Sequence, residues 1–345
     1  MLKLFSFIGL LLVFSFFNGI GQTVTKNEEC TILFYNVENL FDCLDDSLTS
    51  DEEFTPEGVR HWNWKRFNDK SDRLVKVILA AGKWNPPILI GLCEIENREV
   101  LEHLTKKTAL KNYKYKLVHK DSPDSRGIDV ALLYRSDYFE PFDYRAVAVR
   151  DSNDLSFRTR DILQVSGILN GCDTVHLFIN HWPSRYGGLK ETEAHRRLAA
   201  TKLKESVVTI QKNFRNAKIV CVGDFNDGPG DESVSVVLGA VSIDNQAVSG
   251  ELLNLSSAWN SQKIKTIKSQ YSWELFDQLI VSDCFVSNNS CFRFLAAEIF
   301  RPDFLLEPDI KFGGVKPKRT YIGYNFQDGF SDHLPVLLRI MLRTN

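Results

Sequence analysis

What the sequence lacks narrows it first. It has no Cys-x-x-Cys pair, so its thiols suggest no zinc site. It has no charge imbalance: 42 Lys and Arg stand against 44 Asp and Glu, a formal net charge of −2. No global positive field therefore draws the chain onto nucleic acid, and only a local basic cleft would serve such a partner. There is no internal repeat and no low-complexity linker, which excludes solenoids and tethered modules. Beyond residue 21 no apolar run is long enough to cross a membrane.

The one long apolar run is at the start. Lys3 is the only early charge, and Leu4 to Phe17 is almost unbroken. Gly19 and Gly21 suit a signal-peptidase site, so residues 1–21 read as a signal peptide and Gln22 as the new N-terminus. No Cys follows directly, which argues against a lipid anchor. The expected protein is secreted or periplasmic, with no stable membrane insertion after cleavage. Losing Lys3 leaves 41 basic against 44 acidic residues, a net charge of −3. All seven Cys (30, 43, 93, 172, 221, 284 and 291) follow the run, and an odd number leaves at least one unpaired within the chain. Cys93 and Cys221 read as small core residues. Cys284 and Cys291 are spaced to close a short loop, though spacing alone establishes no bridge. One compact domain over about 28–342, acting as a monomer, is the simplest organisation.

Apolar runs predict strands at 31–37, 88–95, 113–118, 128–134, 142–149, 162–169, 175–181, 219–224, 273–282 and 336–341. Helical spacing marks 65–83, 98–108, 192–214 and 233–238. Residues 43–64 and 300–330 read as long loops. Trp62 and Trp64, beside Lys65 and Arg66, are expected to pack the first loop down rather than stack on a substrate. The run Lys316-Pro317-Lys318-Arg319 reads as a solvated face. Asp129 lies inside a strand with no evident role.

The informative feature is where the strands end. Ile219-Val220-Cys221-Val222 runs into Gly223-Asp224-Phe225-Asn226, and a spacing of two points Asp224 and Asn226 the same way off the strand. Asn36 and Glu38 repeat that spacing. Glu94, Asn180-His181 and Asp332-His333 also close apolar runs, and Asp277 lies within one. Each alone has an ordinary reading as a turn or a core histidine. Repetition at strand ends builds a cleft on one rim of a sheet. Oxygen donors and histidine without thiolates favour Mg²⁺, with Mn²⁺ or Ca²⁺ as alternatives.

These segments resemble the endonuclease/exonuclease/phosphatase superfamily, and they occur in its order over nearly the whole chain after the signal peptide. Gly223-Asp224-Phe225-Asn226 and Ser331-Asp332-His333-Leu334-Pro335 are the specific parts. Tyr35-Asn36-Val37-Glu38, Glu94, Asn180-His181 and Phe276-Asp277-Gln278 support them. The resemblance implies an α/β (α+β) fold, a four-layered α/β/β/α sandwich with two mixed sheets face to face. It implies metal ligation by Asn36, Glu38, Glu94 and Asp332, with Glu38 standing where some relatives have Asp. It makes His181, Asp224, Asn226, Asp277 and His333 catalytic, with either Asp224 or His333 as the base. Asn180 and Arg185 are expected at the substrate. Arg185, Arg196 and Arg197 follow His181, and at least two of them are expected to be solvated.

The activity so implied is metal-dependent phosphodiester hydrolysis, most naturally of nucleic acid. A phosphatase or a sphingomyelinase-like phospholipase, acting on a small or lipid phosphoester, is the alternative enzyme. A sphingomyelinase would want an exposed apolar hairpin, for which Phe300 to Phe312 is the candidate. A catalytically silent binding protein would have no need of the complete residue set.

Overall fold

The computed structural model describes residues 26–243, 250–261, 265–287 and 291–344; the expected signal peptide lies outside them. Four strands come first: β1 (Lys26–Leu40), β2 (Leu89–Ile95), β3 (Tyr115–His119) and β4 (Asp129–Arg135). Six follow: β5 (Phe139–Val147), β6 (Ile162–Leu169), β7 (Asp173–His181), β8 (Lys218–Asp224), β9 (Ala240–Ser242) and β10 (Leu252–Asn254). The last three are β11 (Asp277–Ser282), β12 (Phe292–Ile299) and β13 (Val336–Thr344). They form a six-stranded sheet, β12-β13-β1-β2-β4-β3, and a seven-stranded sheet, β5-β6-β7-β8-β11-β10-β9.

The central strands are buried on both faces, because apolar side chains alternate between two cores. Phe34, Cys93 and Leu132 of the first sheet meet Val165, Leu177, Val220, Val222 and Leu279 of the second. Leu33, Tyr35 and Leu92 point the other way, onto α1 (Trp64–Ala81) and α2 (Arg98–Lys107). Cys221 and Ile280 point outward onto Ala200, Leu203 and Val207 of α3 (Leu189–Asn213). Helix α1 starts where the Asn63 side chain accepts the Arg66 N–H, and it stops at Gly82. The layers are therefore helix, sheet, sheet, helix, as the resemblance implied.

Topology sets the site. In each sheet the middle pair is parallel, β1 with β2 and β7 with β8, so four carboxyl ends share one rim. Strand β11 runs antiparallel to β8 and opens there. Strand β13 runs antiparallel to β1, so residues 331–335 also reach that rim.

Several expectations need correcting. Residues 273–282 are not one strand. The Glu274 carbonyl accepts from Thr266 and the Phe276 carbonyl from Phe225, so the partner changes and Asp277 begins β11 instead of lying within a strand. Residues 300–330 carry two small hairpins, pairing 306–308 with 315–317 and 321–322 with 325–326. Cys291 pairs with Cys172, not Cys284, and this bond ties the β6–β7 turn to the start of β12. Trp62 packs the 43–64 loop as expected, donating to the Phe41 carbonyl at 3.0 Å, whereas Trp64 opens α1 half exposed. Asp129 accepts from Ser122 and lies 3.0 Å from His119 Nε2, so it holds the 119–129 loop.

Candidate active site

The register places the chemistry. His181 pairs with Asp224, and Asp224 pairs with Asp277, so three polar residues stand side by side on adjacent strands. Opposite them, the β1–β2 pairing slips after Asn36, and the backbone turns left-handed at Glu38 (φ 51°), Asn39 (56°) and Glu94 (61°). Such conformations are costly for residues other than Gly and persist where the surroundings enforce them. Here they turn Glu94 off the ladder. Its Oε1 accepts from Asn36 Nδ2 at 3.1 Å and its Oε2 from the Asn39 N–H at 2.8 Å. Asn36 Nδ2 also donates to Asp224 Oδ2 at 3.1 Å, joining the rims of the two sheets. Asn226, again left-handed (φ 51°), returns its N–H to Asp224 Oδ1 at 2.9 Å.

His333 completes the rim. Its Nδ1 lies 2.7 Å from Asp277 Oδ2, which leaves Nε2 aimed at Asp224 Oδ2, 3.8 Å away. Ser331 fixes that turn by donating to the Asn36 carbonyl at 2.7 Å and accepting the His333 N–H at 3.1 Å. His181 Nε2 lies 3.8 Å from Asp224 Oδ2 and 3.9 Å from Glu94 Oε1. These separations exceed hydrogen bonds, so two imidazoles and two carboxylates face one another across a gap. Asp277 Oδ1 and His181 Nδ1 are buried with no hydrogen-bond partner among the described residues.

Burial pushes the Asp224 carboxyl up to about 7, with Asp277 and Glu94 adding to the rise against the pull of His333. Burial alone would strip the proton from His333, but Asp277 and Asp224 outweigh it and hold the imidazolium well above its ordinary value. For His181, burial and then Arg160, Arg126 and His333 outweigh the carboxylates across the gap, drive it well below the usual range and keep it neutral.

The donor set fits a hard cation. Glu94 meets only neutral donors through both oxygens, beside the Asn36 amide and the Asp224 carboxylate. Ligand atoms of Asp224, Asp277 and His333 also lie within 4.8 Å of one another, although the contact between His333 and Asp277 uses one edge of that group.

The sequence matches the Endonuclease/Exonuclease/phosphatase family over residues 31–342. The chain belongs to that family. It is accordingly a divalent-metal-dependent phosphoester hydrolase. No curated protein matches it. Among solved structures it is similar to an endonuclease/exonuclease/phosphatase family protein from Bacteroides thetaiotaomicron, with 13% identity, 92% of this chain and 96% of that one covered, and a TM-score of 0.56. It is similar to D. rerio TDP2 complexed with single-strand DNA product, with 14% identity, coverage of 90% and 98%, and a TM-score of 0.55. The human Nocturnin catalytic domain with bound sulfate is 12% identical, with coverage of 92% and 97% and a TM-score of 0.54. At such identities these likenesses establish the fold.

Within this family member, the structure gathers Asn36, Glu94, His181, Asp224, Asp277 and His333 around one gap, while Asn226 gives it only a backbone N–H, its side-chain Nδ2 donating to the Trp182 carbonyl at 3.0 Å. It places four other expected residues differently. Glu38 is turned away from Glu94: Thr320 N–H donates to it at 2.6 Å, Tyr321 N–H at 3.3 Å and Arg319 Nε at 3.3 Å. Asp332 lies beyond the same guanidinium, accepting from Arg319 Nη2 at 2.8 Å. Asn180 is wholly buried and spent on scaffolding, donating to the Phe178 and Val222 carbonyls and accepting from Trp182 Nε1. Arg185 is held off the substrate face by Asp227, Asp231 and the Asn226 carbonyl.

Arg196 is not solvated either; it is fully buried, 2.7 Å from Asp227. Arg197 is half exposed against Glu232. Arg319, read as part of a solvated run, reaches into the rim. Lys70 escaped notice on its helix; its ammonium is buried against the Glu38 carbonyl and Thr320 Oγ1, and burial lowers it to about 8. The periodicity of α1 offered one signal for it, a lysine on the apolar stripe with Phe67 and Leu74.

Proposed function

We propose that this enzyme is a secreted, Mg²⁺-dependent phosphodiesterase that hydrolyses nucleic-acid phosphodiester bonds by in-line attack of water. The carrying observation is the gap in which Asp224 Oδ2 faces both imidazole Nε2 atoms at 3.8 Å, beside Glu94. Asp224 orients the water and takes its proton, steadied by the Asn226 N–H. His333, locked by Asp277, presents Nε2 to the phosphate, and neutral His181 meets a second oxygen. Glu94 and Asn36 would hold the cation, which when bound would supply charge withdrawal from a phosphate oxygen.

Two further observations support the finer reading. A disulfide between residues 119 apart suits an oxidising compartment. Beside Asp332 a cleft of about 290 Å³ is lined by Lys311, Lys316 and Arg319 with Phe312 and by the Lys268–Asp309 ion pair, a local basic and aromatic surface on a chain with no net positive charge. Of the membrane-entering candidate in the lipid alternative, Phe300 and Phe304 pack inward against each other and Phe330, which leaves Ile310 as the exposed large apolar side chain of that segment.

The test is hydrolysis of supercoiled plasmid, single-stranded RNA, bis-(p-nitrophenyl) phosphate, p-nitrophenyl phosphate and sphingomyelin, with Mg²⁺, Mn²⁺, Ca²⁺ or EDTA. Metal-dependent nicking that Asp224→Ala abolishes is expected. Inert nucleic acids with turnover of a monoester or of sphingomyelin would overturn the proposal. Glu94→Ala and His333→Ala should each lower kcat by roughly 100-fold or more.

A further inference from the structure

Arg319 does more than join Glu38 to Asp332. It also lines a second pocket on its other side, of about 200 Å³, with Glu38, Asn39, Phe54, Arg60, Tyr321 and Gly323. This pocket adjoins the reaction centre: its Asn39 N–H donates to Glu94, and Arg319 is bonded to the neighbour of His333. No residue in it has a role in the mechanism above except the backbone of Asn39 and the flank of Glu38.

Its chemistry is that of an anion site. Two guanidinium groups line it against one carboxylate, and that carboxylate is already met by Thr320 N–H, Tyr321 N–H and Arg319. Arg319 commits Nε to Glu38 and one Nη2 hydrogen to Asp332, and its Nη1 donors have no protein partner among the described residues. The Arg60 guanidinium lies over three rings, Phe54 at 4.8 Å, Tyr321 at 5.0 Å and Tyr324 at 5.4 Å. Glu53 answers it from the rim at 3.2 Å, and the Gly323 carbonyl accepts from its Nη1 at 2.9 Å. An arginine held by three aromatic faces is pre-organised, so little side-chain entropy is lost when it meets a ligand. Planar forks of this kind suit the paired oxygens of a phosphate.

We infer that the pocket between Arg60 and Arg319 binds a second phosphate of the substrate, adjacent to the one hydrolysed. The inference rests on the nucleic-acid reading and sharpens it: the enzyme selects chains carrying at least two phosphates over a lone phosphodiester. A lipid headgroup with a single phosphate leaves the pocket empty.

The experiment compares thymidine dinucleotide, which has one phosphate, with the same dinucleotide phosphorylated at its 5′ or its 3′ end. In the wild type, one of the two added phosphates should raise kcat/KM roughly 10- to 100-fold, chiefly through KM, as befits a charge-assisted hydrogen-bonded pair. Arg60→Gln should collapse that preference to about two-fold, and Arg60→Lys, which keeps the charge but loses the fork, should restore only part of it. Arg60→Lys also carries the test should Arg60→Gln fail to fold. A dinucleotide hydrolysed equally well with and without the added phosphates overturns the inference, as does a preference that survives in both variants.

Failure of the nucleic-acid reading is seen separately, as wild type that turns over bis-(p-nitrophenyl) phosphate but no dinucleotide. The pocket is then judged by inhibition of that turnover. Thymidine 3′,5′-bisphosphate inhibiting at least tenfold more tightly than thymidine 5′-monophosphate, with the advantage lost in Arg60→Gln, sustains it, and equal inhibition overturns it.

Discussion

Opening the Cys172–Cys291 bond should cost this protein more than any single surface contact. The bond joins residues 119 apart, one in the turn between β6 and β7 and the other at the mouth of β12, so it links the two sheets covalently. A cross-link over about 120 residues removes about 5 kcal/mol of chain entropy from the unfolded state at 25 °C. With about 2.1 cal/mol/K of unfolding entropy per residue over about 310 ordered residues, that is about 8 °C in Tm. The perturbation is the double variant Cys172→Ser/Cys291→Ala, which leaves no thiol to re-pair with Cys284. Calorimetric melts of both proteins, with and without dithiothreitol, form a closed comparison. Reductant should bring the wild type down to the variant and leave the variant where it was. A variant that melts with the oxidised wild type would refute the reasoning, and so would a reductant effect equal in both proteins.

Four other outcomes follow from the geometry. Asp277→Asn keeps the shape beside His333 but loses the charge that orients it, so kcat should drop roughly 10²- to 10⁴-fold with little change in Tm; unchanged kcat would dissolve the dyad. His176 is buried against Phe214 and bonded to Ser166 Oγ, and burial pushes its imidazole down to about 4. Below its ordinary value near 6.5 the unfolded chain takes up a proton the folded chain refuses. Stability should therefore fall as pH drops from about 6.5 to about 4, by up to about 3 kcal/mol, and His176→Asn should flatten that part of the denaturation profile. A Cβ at Gly223 would sit 2.4 Å from the Asn180 carbonyl oxygen, so Gly223→Ala should cost about 1–3 kcal/mol and depress activity by prising β7 from β8; chemical denaturation with a parallel rate assay reads both. In the metal-free protein the Asn39 amide, which bonds Glu94, should exchange hydrogen faster than the β1 amides of 32–35, and a divalent cation should slow it; exchange indifferent to the cation would remove Glu94 from the metal site.

The sequence made the rim legible because strand ends are local events. Asp224 closes β8 with Asn226 in the turn just beyond it, and Ser331 to Pro335 is a contiguous turn, so nearness in sequence carries their nearness in space. The apolar runs at 31–37 and 219–224 likewise marked buried strands. Partners distant along the chain were the opaque part. Arg319 belongs to the rim because it meets Glu38, 281 residues away, and nothing local distinguishes it from Lys316 or Lys318. Asn180 looked available because it precedes His181. The pleat that points His181 at Asp224 turns Asn180 the other way, into the Phe178 and Val222 carbonyls. Cys291 passed over a cysteine seven positions away for one 119 away, because the sandwich, not the spacing, decides which sulfurs meet.

The left-handed residues along the rim have a consequence for how the enzyme divides its stability. Glu38 and Glu94 each hold a left-handed backbone that their own side chains disfavour, and Glu94 and Asp224 crowd carboxylates there without a lysine or arginine on either. The rim is thus a locally uphill patch on an otherwise well-buried frame. Cation binding would release that tension, so metal affinity and thermal stability are drawn from one reservoir. A substitution that relaxes the backbone at Glu94 would yield a hardier apoprotein that has forfeited its grip on the ion.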